Sequence, residues 1–149
     1  MKRSGFVVVF ATALVVGFLV SSAPAAGEPL LTRLHGSNEV PGPGDPDGFG
    51  SARVSLNQSQ GKVCFNIDVH GVSDATAAHI HQGAPGVAGP VVVALVAPSG
   101  GANVQTSAGC VDTPSDTIKA IRQDPGGYYV NVHTTEYPGG ALRGNLTFE

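Results

Sequence analysis

Two short segments hold the residues of this chain whose types and spacing can do chemistry. They are residues 78–83 (AHIHQG) and residues 128–134 (YYVNVHT), which contain three of the five histidines. Because side chains at i and i+2 of a β-strand point to one face, His79 and His81 are expected to project together. In the second segment, the residues that share a face are Tyr129, Asn131 and His133.

A group of three imidazoles predicts a copper or zinc site. Neutral imidazole is a ligand that both ions favour, and three such ligands leave one coordination position open. The predicted metal ligands are therefore His79, His81 and His133. Two alternatives remain open: a surface for a polar ligand or a partner, and a solvated sheet face on which each ring bonds a backbone carbonyl.

Other catalytic patterns are weak or missing. The sequence has no Gly-x-Ser-x-Gly or similar nucleophile arrangement, so no hydrolase site and no catalytic residue is predicted. Residues 45–48 (DPDG) lack the ligand count and spacing of a calcium loop and are interpreted as a turn.

Short strands must position these histidines, because glycine and proline are frequent and apolar residues alternate along several stretches. Residues 49–57 and 62–70 alternate most clearly and predict a hairpin. Further strands are predicted at residues 30–35, 77–82, 90–97, 128–134 and 141–148. The continuous apolar run of residues 90–97 (PVVVALVA) favours a strand covered on both faces.

One helix is predicted, over residues 113–123. Thr113 is expected to cap it, Pro114 suits its first position, and Ile118 and Ile121 provide an apolar face. About seven short strands with one short helix predict an all-β protein, a Greek-key β-sandwich or barrel.

Residues 1–25 have the pattern of a secretory signal peptide. Lys2 and Arg3 precede an uncharged apolar stretch at residues 6–20, and small residues follow at 23–25. That stretch is short for a membrane span, although a retained N-terminal anchor is the alternative. The prediction is a secreted or periplasmic domain over residues 26–149, with no membrane span.

The charge balance argues against nucleic acid as a partner. Without Lys2 and Arg3, six basic residues remain against eleven acidic ones, a formal charge of −5, and no basic cluster occurs. The expected partner is an extracellular protein or a small ligand, whose identity is not encoded in a recognisable motif.

Cys64 and Cys110 are the only cysteines. An even number in an exported chain predicts a disulfide, with a pair of free thiols as the alternative. The chain-entropy estimate for a closed loop of about 46 residues is about 4 kcal/mol. Cys64 falls on the polar side of its strand, so the disulfide is expected on the outside of the sheet.

Five segments, in order along the chain, resemble the chordin-type (CHRD) domain family. They are residues 34–41 (LHGSNEVP), 78–86 (AHIHQGAPG), 89–92 (GPVV), 129–134 (YVNVHT) and 138–144 (PGGALRG). The resemblance covers essentially all of residues 26–149. It implies an extracellular, β-rich, CHRD-like module and does not imply one particular activity.

The histidine pattern is also similar to the copper site of Cu/Zn superoxide dismutase, another Greek-key β protein with an external disulfide. Both have a closing arginine, here Arg143. The similarity is incomplete, because no His-rich segment or suitable Asp follows His81 to build a zinc-holding loop. The fold is expected to be immunoglobulin-like or superoxide dismutase-like.

Two functional hypotheses follow. The first is a non-enzymatic exported binding or structural module, whose ligand or partner face adds Asn131, Glu136 and Arg143 to the histidines. The second is a copper or zinc protein with superoxide dismutase-like or metal-handling activity at the three histidines.

Overall fold

Ten strands and one short helix make up the part of the chain that the computed structural model describes, residues 29–101 and 103–149. The strands are β1 (Leu30–His35), β2 (Phe49–Asn57), β3 (Lys62–His70), β4 (Ala75–Gln82), β5 (Val91–Leu95), β6 (Ser99–Gly101), β7 (Val104–Asp112), β8 (Tyr128–Thr134), β9 (Leu142–Asn145) and β10 (Thr147–Phe148). Helix α1 (Ser115–Gln123) lies between β7 and β8. The predicted signal peptide, residues 1–25, lies outside the described residues.

All ten strands belong to one antiparallel sheet. Its order is β5-β4-β8-β9-β1-β2-β3-β7-β6, and β10 pairs separately with β1. The sheet curls into a half-barrel, and the predicted all-β class with one short helix is confirmed. No helix among the described residues has the length and apolar character that a membrane span requires.

The hairpin of β2 and β3 shows how the sequence specifies the two faces of the sheet. Phe49 pairs with His70 and Asn57 with Lys62, so the register follows the predicted strands. The alternating apolar residues of both strands point into the half-barrel, where α1 adds its two isoleucines to the same core. The residues of that core from these three elements are Ala52, Val54, Leu56, Val63, Phe65, Ile67, Val69, Ile118 and Ile121.

The prediction of a doubly covered strand at residues 90–97 is wrong. Strand β5 is shorter and lies at one edge of the sheet. Val93 is buried, while Val91 is 48% exposed. The apolar run therefore covers the core with one face only, and its other face remains accessible.

Strands β6 and β7 were not predicted, because their sequence lacks a regular apolar alternation. Gln105 and Ser107 occupy inward positions of β7 and are buried. The Gln105 amide bonds the carbonyl oxygens of Val72 and Ser73 and accepts from the Ala75 backbone N–H. Hydrogen bonding, rather than an apolar side chain, therefore anchors this part of the strand.

Helix α1 and the last strand also differ from expectation. The helix begins at Ser115, and Thr113 does not cap it with its side chain. The predicted last strand, residues 141–148, is interrupted at Leu146, whose backbone N–H bonds the Tyr128 carbonyl.

The predicted disulfide is present between Cys64 and Cys110. The two residues face each other directly on β3 and β7. Their neighbours Val63 and Phe65 point into the core, so the bridge lies on the outer face of the sheet, as predicted.

Candidate metal centre

Strands β4 and β8 are neighbours in the sheet, and their register brings the histidine segments together. His79 pairs with Asn131, His81 with Tyr129, and Ala77 with His133. Because directly opposed residues share a face, the three histidines all project from the outer face. The intervening residues of both strands are buried in the core: Ala78, Ile80, Val130 and Val132.

The three rings form a compact triangle. The centroid of the His79 ring lies 5.5 Å from that of His81 and 5.1 Å from that of His133, and 6.1 Å separates His81 from His133. One nitrogen of each ring lies within 4.8 Å of the others. Tetrahedral ligands at about 2.1 Å from a metal are roughly 3.4 Å apart, so an ion would draw the nitrogens inward by roughly 1 Å.

Backbone carbonyls fix the orientation of two of the rings. His81 Nδ1 lies 2.9 Å from the Gly89 carbonyl oxygen, and His133 Nδ1 lies 3.0 Å from that of Pro138. In the neutral rings, each Nδ1–H donates to its carbonyl, which leaves the lone pair on Nε2. Metal-binding histidines ordinarily make such a hydrogen bond through the ring nitrogen that does not bind the metal.

Three buried ring nitrogens of the cluster have no hydrogen-bond partner among the described residues. They are Nδ1 of His79, Nε2 of His81 and Nε2 of His133. For His81 and His133, these are the atoms that carry the lone pair when Nδ1 donates. The cluster therefore offers one potential metal-binding nitrogen from each ring.

The surroundings of the cluster favour uncharged imidazole. Burial lowers the pKa of His79 below its ordinary value of 6.5, and the neighbouring His133 and His81 lower it further. Burial also lowers the pKa of His81, which the bond to Gly89 partly opposes, while His133 and Arg143 add to the decrease. Both rings are therefore available as ligands at neutral pH.

A stack of three side chains supports His81. Its ring lies parallel to that of Tyr129, with centroids 4.9 Å apart, and the Arg143 guanidinium carbon lies 3.5 Å from the Tyr129 centroid. Because β8 runs between β4 and β9, the Tyr129 ring is sandwiched between the imidazole and the guanidinium.

The loop of residues 83–90 is tied to both ends of this stack. Arg143 Nη2 donates to the carbonyls of Ala84 and Val87 at 2.9 and 2.8 Å. The Gly89 N–H donates to the Tyr129 hydroxyl, and its carbonyl holds His81. The loop thus positions the imidazole as well as covering the arginine.

A buried carboxyl lies beside the cluster. Asn131, which pairs with His79 across the strands, donates through Nδ2 to Glu39 Oε2 at 3.0 Å. Glu39 is only 8% exposed, and this burial raises its pKa to about 7, against the smaller lowering effects of Asn131, Arg143 and the Val40 backbone. Glu39 is not among the site residues predicted from the sequence, although it lies in the segment 34–41 that resembles the CHRD family.

The remaining predicted site residues have different environments. Asn131 and Arg143 are buried, so of the predicted partner face only Glu136 is exposed, in the turn after β8. His70 lies on β3, where it stacks on Phe49 with centroids 5.0 Å apart. Neither His70 nor His35 belongs to the cluster.

Comparison with protein families matches residues 30–146 to the CHRD domain. The match runs from β1 to the residue that follows β9 and so includes every member of the cluster. Neither a curated protein nor a solved structure matches the chain significantly.

Proposed function

The chain belongs to the CHRD-domain family, and from that premise we propose that it is an exported, non-enzymatic binding module that holds copper or zinc on His79, His81 and His133. CHRD domains are extracellular, and a disulfide is stable in that environment. Export through residues 1–25 is part of the proposal.

The unpartnered nitrogens are the observation that carries the metal proposal. On a solvated sheet face, each ring nitrogen bonds water or a backbone group, whereas a buried polar atom without a partner costs about 1–3 kcal/mol. Here three such nitrogens lie in one cluster. A single cation bound between the rings would satisfy all three together.

Superoxide dismutase-like catalysis at the three histidines has less support. Arg143, the residue expected to close such a site, lies behind the Tyr129 ring and uses Nη2 to bond two loop carbonyls. It is 1% exposed. Binding therefore accounts for the arrangement better than a reaction on a small anion.

Calorimetric titration with Zn(II) and with Cu(II) at about pH 7.5 and about pH 5.5 tests the proposal. We expect one ion per chain, bound more tightly than about 10 μM at the higher pH. Because burial lowers the pKa values of His79 and His81, the affinity should decrease only at acidic pH, where protons compete with the metal for the ring nitrogens. Absence of binding, or an affinity that is higher at the lower pH, would contradict the proposal.

A further inference from the structure

We propose that the histidine cluster holds copper as Cu(I) in preference to Cu(II). This inference rests on the metal site proposed above and concerns the charge of the ion that the site accepts.

The ligands of the cluster carry no negative charge. The cluster found among the described residues consists of three histidines, with no carboxylate and no thiolate. Neutral ligands leave the full charge on the ion. A second unit of positive charge in this partly buried position therefore carries a desolvation penalty that no anionic ligand offsets.

A cationic side chain lies close to the cluster. The stacking distances place the Arg143 guanidinium carbon no more than about 9 Å from the His81 ring centre. Arg143 remains protonated in proteins, and no salt bridge is found for it among the described residues, although the nearby Glu39 carboxyl, whose pKa is about 7, offsets part of its charge when ionised. With an effective dielectric constant of about 20, such a charge lowers the affinity of the site for a metal ion by on the order of tenfold for each unit of positive charge on the ion.

The arrangement of the three rings also favours Cu(I). Cu(II) favours a square or tetragonal set of nitrogen and oxygen ligands. The rings of this cluster, which come from only two neighbouring strands, form a triangle with centroid separations of 5.1 to 6.1 Å. Cu(I) has a filled d shell, as Zn(II) has, and therefore no electronic preference for a square arrangement.

Competition titrations on the purified mature protein test the inference. Under anaerobic conditions at about pH 7.5, bicinchoninate competes for Cu(I), and nitrilotriacetate competes for Cu(II) in a parallel experiment. We expect the dissociation constant for Cu(I) to be at least about tenfold lower than that for Cu(II). Since each tenfold ratio shifts a one-electron potential by 59 mV, voltammetry should show a potential above that of aqueous copper.

A pair of variants at Ala94 tests the charge argument directly. Ala94 is exposed on the edge strand β5 and faces His79 across the ladder. Ala94→Glu adds a carboxylate next to the cluster, so the ratio of the two dissociation constants should move about tenfold toward Cu(II). Ala94→Gln, of the same size but neutral, should keep the wild-type ratio.

The results distinguish the preference for Cu(I) from the metal site itself. If Cu(II) binds wild-type protein as tightly as Cu(I), or if the two Ala94 variants behave alike, the preference for Cu(I) is wrong while the metal site stands. If neither copper ion nor Zn(II) binds, the metal site itself is wrong.

Discussion

Replacing His81 by alanine should weaken Zn(II) binding by more than about a hundredfold, because it removes one of three ligands and the ring that the loop holds in place. His81 has the most fixed environment of the cluster, with Gly89 on its Nδ1 and Tyr129 against its face. Calorimetry at about pH 7.5 measures the loss. The side chain projects from the outer face, so the core residues stay in place.

His70→Ala is the matched control for this substitution. His70 is also a partly buried histidine on a strand of the same sheet, but it stacks on Phe49 and lies outside the cluster. We expect the affinity of the His70→Ala variant for Zn(II) to remain within about twofold of wild type. An equal loss in both variants would show that the metal does not depend on the triangle of rings.

Replacing Glu39 by glutamine should stabilise the protein increasingly as the pH rises. The ordinary pKa of 4.5 is raised to about 7 in the folded state, so the folded protein binds the Glu39 proton more tightly than the unfolded chain does. The contribution of Glu39 to wild-type stability therefore decreases as pH rises from 4.5 through 7, by about 3 kcal/mol in total. The substituted amide carries no such charge, and its oxygen can still accept from Asn131.

Denaturant unfolding at about pH 5 and about pH 8 measures this effect as the difference between variant and wild type. The unfolding free energy of Glu39→Gln relative to wild type should increase by about 2.5 kcal/mol between these pH values. Glu136→Gln is the control, because Glu136 is exposed in the turn after β8. A difference that does not change with pH would contradict the burial of a carboxyl at Glu39.

The histidine cluster was predictable in part. The two-residue period of a strand is enough to place His79 and His81 on one face of one strand, and His133 on one face of another. The sequence does not show which strands are neighbours, because β4 and β8 are far apart in sequence and pair through long-range contacts. The sheet order decides whether the three rings meet.

The orientation of the rings was beyond sequence analysis for a different reason. The carbonyls that hold His81 and His133 belong to Gly89 and Pro138. These residues lie in segments that the sequence marks only as turns, since any residue offers a carbonyl and only the folded loop decides where it points.

Buried polar side chains account for the other differences. An alternating apolar pattern predicts a strand, so β2 and β3 were found, but β7 was missed because Gln105 occupies an inward position. In the same way, Glu39 lies between polar and proline-rich residues that are typical of an exposed loop, although the fold buries its carboxyl against Asn131. Burial of a polar group depends on a partner from elsewhere in the chain.

Long-range proton–nitrogen correlation spectra of the imidazole rings during a Zn(II) titration test the metal site most directly. One equivalent of Zn(II) should shift Nδ1 of His79 and Nε2 of His81 and His133, the three nitrogens without partners. Nδ1 of His81 and of His133 should keep their protons, which are held by Gly89 and Pro138. Spectra in which these three rings do not respond, or in which His35 and His70 respond instead, would contradict the proposed metal site.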